Sequence, residues 1–269
     1  MDCRPSRRPS PRNRTSSRPA ALPAPRAAQD PSRAFGALWV LCLVGLLVAQ
    51  AGWVGGVVLA EDDSGEHKVL SQDDFSSEAT RSIWTWVRED KEGWRLEEGR
   101  LAIRTKGLLW GKENSQHNVL LHEALDSSDL SVAAELTVDA GLGLTHAYEH
   151  GGLIWYFDDD HWVTLTQLNH VQDQTQKIML VHETGGRGQV PTAKAVPYTE
   201  QVVELRLEHR NHRFTGYYRA PGSADWQKLG SIDFKHTATA PRIGIVAGQG
   251  DDADLNWVSF DNFRVLTLP

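Results

Sequence analysis

The chain has 269 residues, with 28 Lys and Arg against 35 Asp and Glu and a formal net charge of −7. Removing residues 1–33, which hold eight Arg and two Asp, leaves 20 basic against 33 acidic residues and a net charge of −13. So acidic a surface, without a basic stripe, excludes nucleic acid as a partner and favours a neutral ligand or a bound cation.

The N-terminal 60 residues have two compositions. Residues 1–33 are rich in Arg, Pro and Ser and cannot bury enough apolar surface to offset chain ordering, so we predict a disordered basic leader. Residues 34–60 carry no charge and end in Val58-Leu59-Ala60, a pattern typical of an export signal cleaved after Ala60. The same run is long enough to be an uncleaved signal anchor. Both interpretations export residues 61–269 to the periplasm or the extracellular space, and only a retained run would attach them to a membrane.

We predict that residues 61–269 form a single domain made of strands. Cys3 and Cys42 are the only cysteines, so this domain can use neither disulfide bonds nor thiolate chemistry. Short apolar or alternating runs separated by Gly, Asp, Asn and Pro predict strands at 69–75, 94–105, 118–123, 129–139, 150–157, 161–169, 176–183, 201–209, 212–219, 225–233, 241–247 and 255–267. That many strands exceed one open sheet, so we predict an all-β jelly-roll sandwich of two antiparallel sheets. Residues 184–198 are predicted to form a long surface loop.

The strand predicted at 150–157 ends in three consecutive aspartates, Asp158-Asp159-Asp160, and another strand follows. Asp is common in such hairpin loops because its carboxylate caps turn amides, so we predict a turn. A Ca²⁺ site is the alternative, although such a site needs six to eight oxygens from several positions. Alternation places Trp155 and Tyr156 on opposite faces of the strand. Both faces are aromatic, so periodicity does not say which of them lines the inter-sheet core.

Several short elements, in order and spacing, resemble a known family. They are WTWVRE (84–89), GRLAI (99–103), NVLL (118–121), EHGGL (149–153) with the three aspartates, VELRL (203–207), DW (225–226) and FDNF (260–263). Together they resemble the concanavalin A-like lectin/glucanase domains at the C-terminus of family 43 β-xylosidases. They also resemble the bacterial stand-alone family of unknown function that is related to a yeast regulator of enolase. The resemblance covers roughly residues 70–268.

This resemblance implies a jelly-roll sandwich with one convex and one concave sheet, in a superfamily whose concave face often holds sugars and in which Ca²⁺ is often structural. It does not imply catalysis, because the Glu-x-Asp-x-Glu type strand of the catalytic branch is missing from the sequence. The terminal strands are neighbours in the superfamily's topology. We therefore predict a structural Ca²⁺ site with oxygens from Asp74 and Asp261, the alternative being edge carboxylates in solvent.

Eight tryptophans lie within residues 61–269, and aromatic rings bind sugars by stacking on C–H faces while polar groups bind the hydroxyls. The predicted ligand site combines Trp110, Trp155 and Tyr156 with the polar residues Glu149, His150 and Gln167. We predict an exported, monomeric, non-catalytic domain that binds a neutral carbohydrate and requires no cofactor. One alternative is a glycoside hydrolase or lyase using Glu149 as acid or base, paired with Glu183 or Glu89. The other is a structural or partner domain of an extracellular complex.

Overall fold

The computed structural model describes residues 67–77, 82–122, 131–140, 143–170, 175–187, 194–236, 241–253 and 255–269. The predicted leader (1–33) and export segment (34–60) lie outside the described residues. Across the described ranges, no helix is both long enough and apolar enough to cross a bilayer.

In this part of the chain the backbone forms fifteen strands and no α-helix. The first eight are β1 (Val69–Asp73), β2 (Trp84–Val87), β3 (Trp94–Glu97), β4 (Arg100–Arg104), β5 (Val119–His122), β6 (Val132–Asp139), β7 (His150–Asp158) and β8 (His161–His170). The others are β9 (Thr175–Thr184), β10 (Lys194–Pro197), β11 (Val202–Arg210), β12 (Arg213–Arg219), β13 (Gln227–Asp233), β14 (Arg242–Gly248) and β15 (Trp257–Thr267).

The strands form two antiparallel sheets, which confirms the predicted sandwich. The eight-stranded sheet has the order β13-β12-β11-β6-β15-β4-β3, with β1 also paired to β15. The seven-stranded sheet has the order β10-β9-β8-β7-β14-β5-β2. Strand β15 pairs with β4 over Trp257–Phe260 and with β1 nearer its end, so the first and last strands are neighbours as predicted.

The strand predictions differ from the structure at three places: β2 (Trp84–Val87) was not predicted, and two predicted segments were wrong for local reasons. The run 94–105 contains two strands because Glu98 and Gly99 adopt positive φ angles of 53° and 74° and form a two-residue hairpin turn. The predicted loop 184–198 contains β10, whose residues Lys194–Pro197 pair with β9 at the edge of the seven-stranded sheet. Edge strands this short carry little apolar periodicity, so the sequence pattern does not reveal them.

The core lies between the two sheets and is built from alternate residues of each strand. From β7 it receives Leu153, Trp155 and Phe157, and Trp155 meets Phe214 of the opposite sheet with 5.4 Å between ring centroids. A second apolar cluster lies on the other face of the seven-stranded sheet and includes Ile154 and Trp162. We call this face, which carries Tyr156, the outer face of the seven-stranded sheet.

Candidate functional site

A row of four side chains crosses the outer face of the seven-stranded sheet, which we call the aromatic row. Arg242 of β14 lies opposite Tyr156 of β7, Tyr156 opposite Trp162 of β8, and Trp162 opposite Glu183 of β9. Directly opposite residues project to the same face of a sheet, and adjacent strands are about 4.8 Å apart, so the row extends roughly 14 Å. It therefore places two aromatic rings between a guanidinium and a carboxylate.

The loop between β4 and β5, residues 105–118, packs on this row. Its Trp110 ring lies 4.7 Å from the Trp162 ring at 80°, an edge-to-face contact, and remains half-buried. The next residue, Gly111, donates its backbone N–H to both carboxylate oxygens of Glu183, at 2.9 and 3.0 Å. Leu109 fixes the loop by inserting into the outer apolar cluster. These contacts hold Trp110 above the row instead of in the inter-sheet core.

The three aspartates form the turn between β7 and β8, as predicted, and each carboxylate bonds a different side chain. Asp160 N donates to Asp158 Oδ1 at 2.9 Å, which closes the turn. Asp159 accepts from Tyr156 Oη at 2.6 Å and from Arg88 Nη1 at 2.8 Å. Asp160 accepts from Asn114 Nδ2 of the 105–118 loop at 3.0 Å. The turn therefore ties the loop and the aromatic row together.

Three buried polar atoms around this row have no hydrogen-bond partner within the described ranges. They are Arg88 Nη2, Trp162 Nε1 and Asn114 Oδ1, two donors and one acceptor. Leaving a buried polar group unpaired costs about 1–3 kcal/mol, so native proteins usually supply a partner from a ligand or from water. Together with the partly exposed Trp110 ring, these polar side chains make this end of the outer face a candidate ligand site.

The buried phenols of this protein resist ionisation. Burial raises the pKa of Tyr156 well above its usual range, and the hydrogen bond to Asp159 together with the charge of that carboxylate raises it further. Burial likewise raises the pKa of Tyr198 to about 12. A phenol whose pKa is raised by folding contributes stability that is complete below the unfolded value, about 10, and is lost as pH rises towards the folded value.

We therefore expect the free energy of unfolding to decline as pH rises above about 10. Tyr156→Phe should reduce the steepness of that decline, because phenylalanine has no proton to lose. Urea unfolding of both proteins between pH 8 and 11.5 measures the effect. If the free energy of unfolding falls equally steeply with pH in the variant and in the parent protein, folding does not raise the pKa of Tyr156.

The structure separates the predicted ligand residues. Trp110 and Tyr156 both lie on the outer face, where Trp110 packs against the apolar cluster that contains Tyr156, and their role in ligand binding stays a prediction. Trp155 is wrong as a ligand-facing residue, because it is 0% exposed and faces the opposite sheet. Gln167 is also fully buried, and its Nε2 donates to Gln176 Oε1 at 3.1 Å and to the Glu200 carbonyl at 2.9 Å. These two residues support the fold and do not reach the row.

Glu149 has a structural environment instead of an open one. Its carboxylate is 0% exposed and accepts hydrogen bonds from Thr105 Oγ1 at 2.6 Å, Asn256 Nδ2 at 2.9 Å and Thr145 N at 2.9 Å. Through the paired strands β7, β8 and β9, Glu183 lies level with Tyr156. Tyr156 is seven residues after Glu149 along the chain, and seven residues of a strand span about 23 Å. Glycosidases hold their two carboxyl groups roughly 5–10 Å apart, so the predicted pairing of Glu149 with Glu183 is wrong.

His150 lies six residues before Tyr156 on β7, about 20 Å away along the strand. It is 5% exposed, its Nδ1 is 2.9 Å from the Tyr148 carbonyl, and burial lowers the pKa of its imidazole. His150 therefore belongs to the opposite end of β7 from the aromatic row, and it cannot share a small ligand with Tyr156.

The predicted calcium ligands lie near the paired chain ends. Asp74 accepts from the amide and the hydroxyl of Ser76 and lines a cavity of about 500 Å³ with Asn262, whereas Asp261 accepts from Asn262 N at 2.7 Å. In the part of the chain that the structure describes, neither carboxylate belongs to a group of three His, Asp or Glu side chains close enough to share an ion. The calcium site at the chain ends stays a prediction.

The same cavity contains Trp226 on the outer face of the eight-stranded sheet, but this tryptophan is less suited to a ligand. The Arg219 guanidinium lies over its ring at 4.2 Å, and Arg219 also bonds Glu204 at 2.6 Å. One face of the Trp226 ring is thus covered by a cation and is not open to a sugar.

Four residues of the candidate site were not among the predicted ligand residues: Arg88, Trp162, Glu183 and Arg242. The sequence shows each of them beside or within a strand, but their proximity depends on the register of four strands. In the order β9-β8-β7-β14, the first three strands are consecutive along the chain, whereas β14 lies more than 50 residues further on.

Comparison with known proteins agrees with this architecture. Residues 72–266, more than half of the chain, match the family model described as the β-xylosidase C-terminal concanavalin A-like domain. The chain belongs to this concanavalin A-like family. The resemblance seen in the sequence is thereby confirmed, and with it the jelly-roll class of the fold.

Solved structures support the same fold for this concanavalin A-like domain. The GH43 BlXynB protein from Bacillus licheniformis superposes with a TM-score of 0.63 at 18% identity, covering 73% of this chain and 39% of that chain. Xylan β-1,4-xylosidase from Bacillus halodurans gives 0.60 at 21%, covering 72% and 38%. A functionally unknown protein from Saccharomyces cerevisiae gives 0.52 at 14%, covering 70% and 98%. No curated protein matched the chain. This chain thus spans well under half the length of the two xylosidases.

Proposed function

We propose that this concanavalin A-like domain binds a neutral carbohydrate on the aromatic row, without catalysing its cleavage. The observation that carries the proposal is the contact of the partly exposed Trp110 with Trp162, 4.7 Å between ring centroids, on the same sheet face as Tyr156. A partly exposed indole beside polar side chains is the arrangement by which proteins hold a sugar ring. Membership of a family named after the C-terminal domain of β-xylosidases supports a carbohydrate-related role.

The polar groups at the row suit hydroxyl groups. Arg88 Nη2 and Trp162 Nε1 are donors and Asn114 Oδ1 is an acceptor, and a sugar hydroxyl can donate and accept at once. The guanidinium groups of Arg88 and Arg242 are matched or exceeded by the carboxylates of Asp159, Asp160 and Glu183, so the row has no excess of positive charge that would attract an anionic sugar. A site without such an excess gives no electrostatic preference for an anionic sugar, so a neutral one is favoured.

A glycan and polysaccharide binding screen tests the proposal. The purified full-length chain is applied with Ca²⁺ in one series and with EDTA in the other, and the same wells are assayed for newly formed reducing ends. We expect binding without release of reducing ends. Loss of binding in EDTA that added Ca²⁺ restores, and Zn²⁺ does not, would support the predicted calcium site.

The matched pair of variants is Trp110→Ala and Trp226→Ala, both at half-buried tryptophans on the outer faces of different sheets. Trp110→Ala removes the stacking surface and should weaken binding by roughly two- to twelvefold, because a stacked aromatic ring contributes about 0.5–1.5 kcal/mol. Trp226→Ala should bind as the parent protein does. Equal losses in both variants, or release of reducing ends, would refute a non-catalytic site at the row.

A second candidate function is an accessory or partner domain of an extracellular hydrolase complex. It is favoured by the coverage of the two xylosidases, in which the matching region is only 38–39% of each chain. Absence of binding to every glycan tested, together with co-purification of a hydrolase, would favour this candidate over the first. Export through residues 34–60 is part of both proposals and rests on the sequence of that segment.

A further inference from the structure

Asp158, His161 and His236 meet at the end of the sandwich where the β7–β8 turn approaches the segment that follows β13. Their ligand atoms all lie within 4.8 Å of one another. His161 Nδ1 is 2.8 Å from Asp158 Oδ1, and His236 Nε2 is 3.5 Å from Asp158 Oδ2. The two imidazole rings stack with 4.1 Å between their centroids, beside the carboxylate that both of them approach.

His236 Nε2 gives a second, independent observation. This nitrogen is buried and makes no hydrogen bond with any of the described residues, although it faces the Asp158 carboxylate. Its separation of 3.5 Å is long for a hydrogen bond but close to the roughly 3.3–3.5 Å between two ligands of one tetrahedral ion at 2.0–2.1 Å. Phe157 fixes the ring orientation by an edge contact at 5.2 Å.

The solvent exposure of the three side chains and the ligand atoms that they offer indicate which ion would suit this cluster. The side chains of Asp158, His161 and His236 are 41%, 23% and 13% exposed, so solvent reaches the carboxylate while the imidazoles are largely enclosed. Two imidazoles and one carboxylate suit Zn²⁺ and its neighbours in the first transition series, whereas Ca²⁺ prefers six to eight oxygens.

We propose that Asp158, His161 and His236 bind one divalent transition metal ion of the Zn²⁺ class, with the remaining position taken by water. The ion links the β7–β8 turn of the seven-stranded sheet to the segment after β13 of the eight-stranded sheet. It would join the two sheets in a domain whose residues 61–269 contain no cysteine for a disulfide bond. This site is separate from the predicted calcium ligands Asp74 and Asp261.

Calorimetric titration with ZnCl₂ tests the site, using the untagged full-length chain after EDTA treatment and dialysis. We expect one Zn²⁺ per chain. At a zinc concentration 100 times Kd, the melting temperature should rise by roughly 5–10 °C, since binding to the folded state alone shifts the unfolding equilibrium. Co²⁺ should give the visible absorption of a four-coordinate ion, which reports the ligand set without reference to stability.

His236→Ala and Asp158→Asn should each weaken Zn²⁺ binding at least about tenfold, as loss of one of three ligands requires. Asp158→Asn retains the turn-capping oxygen, so it keeps the test independent of folding. His212→Asn, which removes an exposed imidazole in the β11–β12 turn, should bind zinc as the parent protein does. The proposal is overturned if the parent protein binds no zinc, if both ligand variants retain its affinity, or if excess Ca²⁺ displaces the ion.

Discussion

Trp155→Ala is expected to lower the free energy of unfolding by about 3–5 kcal/mol, the usual cost of truncating a fully buried tryptophan. Trp155 is 0% exposed and packs between the sheets against Phe214 and His209, with ring centroids 5.4 and 5.0 Å away. The cavity left by alanine lies in the middle of β7, where the surrounding strands cannot collapse to fill it. Urea denaturation at neutral pH measures the change.

Trp155→Phe is the control for this prediction. It keeps most of the ring contacts and removes Trp155 Nε1, a buried donor without a hydrogen-bond partner among the described residues, so it should cost far less than alanine. Well below the melting temperature, Trp155→Ala should leave glycan affinity near that of the parent protein. A variant that stays stable but loses binding would mean that Trp155 does contact the ligand.

Glu149→Gln is expected to destabilise the protein by roughly 2–4 kcal/mol. Every neighbour of the Glu149 carboxylate is a donor: Thr105 Oγ1, Asn256 Nδ2 and the amides of Thr145 and His146. The amide group of glutamine would oppose at least one of these donors with another donor, inside a site that water does not reach. Thermal and urea unfolding measure the loss.

The Glu149 prediction also distinguishes a structural from a catalytic role. Glu92→Gln, at an exposed carboxylate, should change stability by less than about 0.5 kcal/mol and serves as the matched control. A catalytic acid or base would instead lose turnover at unchanged stability. If Glu149→Gln unfolds like the parent protein but abolishes release of reducing ends, the hydrolase alternative is correct and the structural account of Glu149 fails.

Much of the fold followed from local pattern. Gly, Asp, Asn and Pro punctuate the apolar runs, so the all-β class, most strands and the turn at Asp158-Asp159-Asp160 were predictable. What the pattern missed were short edge strands such as β10 and the turn at Glu98-Gly99, where a non-glycine residue adopts positive φ. The resemblance in the ordered short elements supplied the jelly-roll class, and residues 72–266 confirm it.

The sequence alone determined that β7 has two aromatic faces, but only the tertiary structure decided which face is which. When one face of a strand is exposed to solvent, the polar residues on that face show which face points away from the core. On β7 both faces are apolar, because the inner one meets the opposite sheet and the outer one carries a second apolar cluster to which Leu109 of the 105–118 loop contributes. The alternation of side chains along β7 therefore shows that Trp155 and Tyr156 lie on opposite faces, but it does not show which of them faces the opposite sheet.

The site itself depends on register between distant segments. Arg242, Tyr156, Trp162 and Glu183 become neighbours only when β14, β7, β8 and β9 pair in their observed alignment, and a shift of one residue would turn each side chain to the other face. His236 likewise reaches Asp158 and His161 only because the two sheets stack. Residue types and turns are local properties of a chain, whereas the proximity of these side chains is a property of its packing.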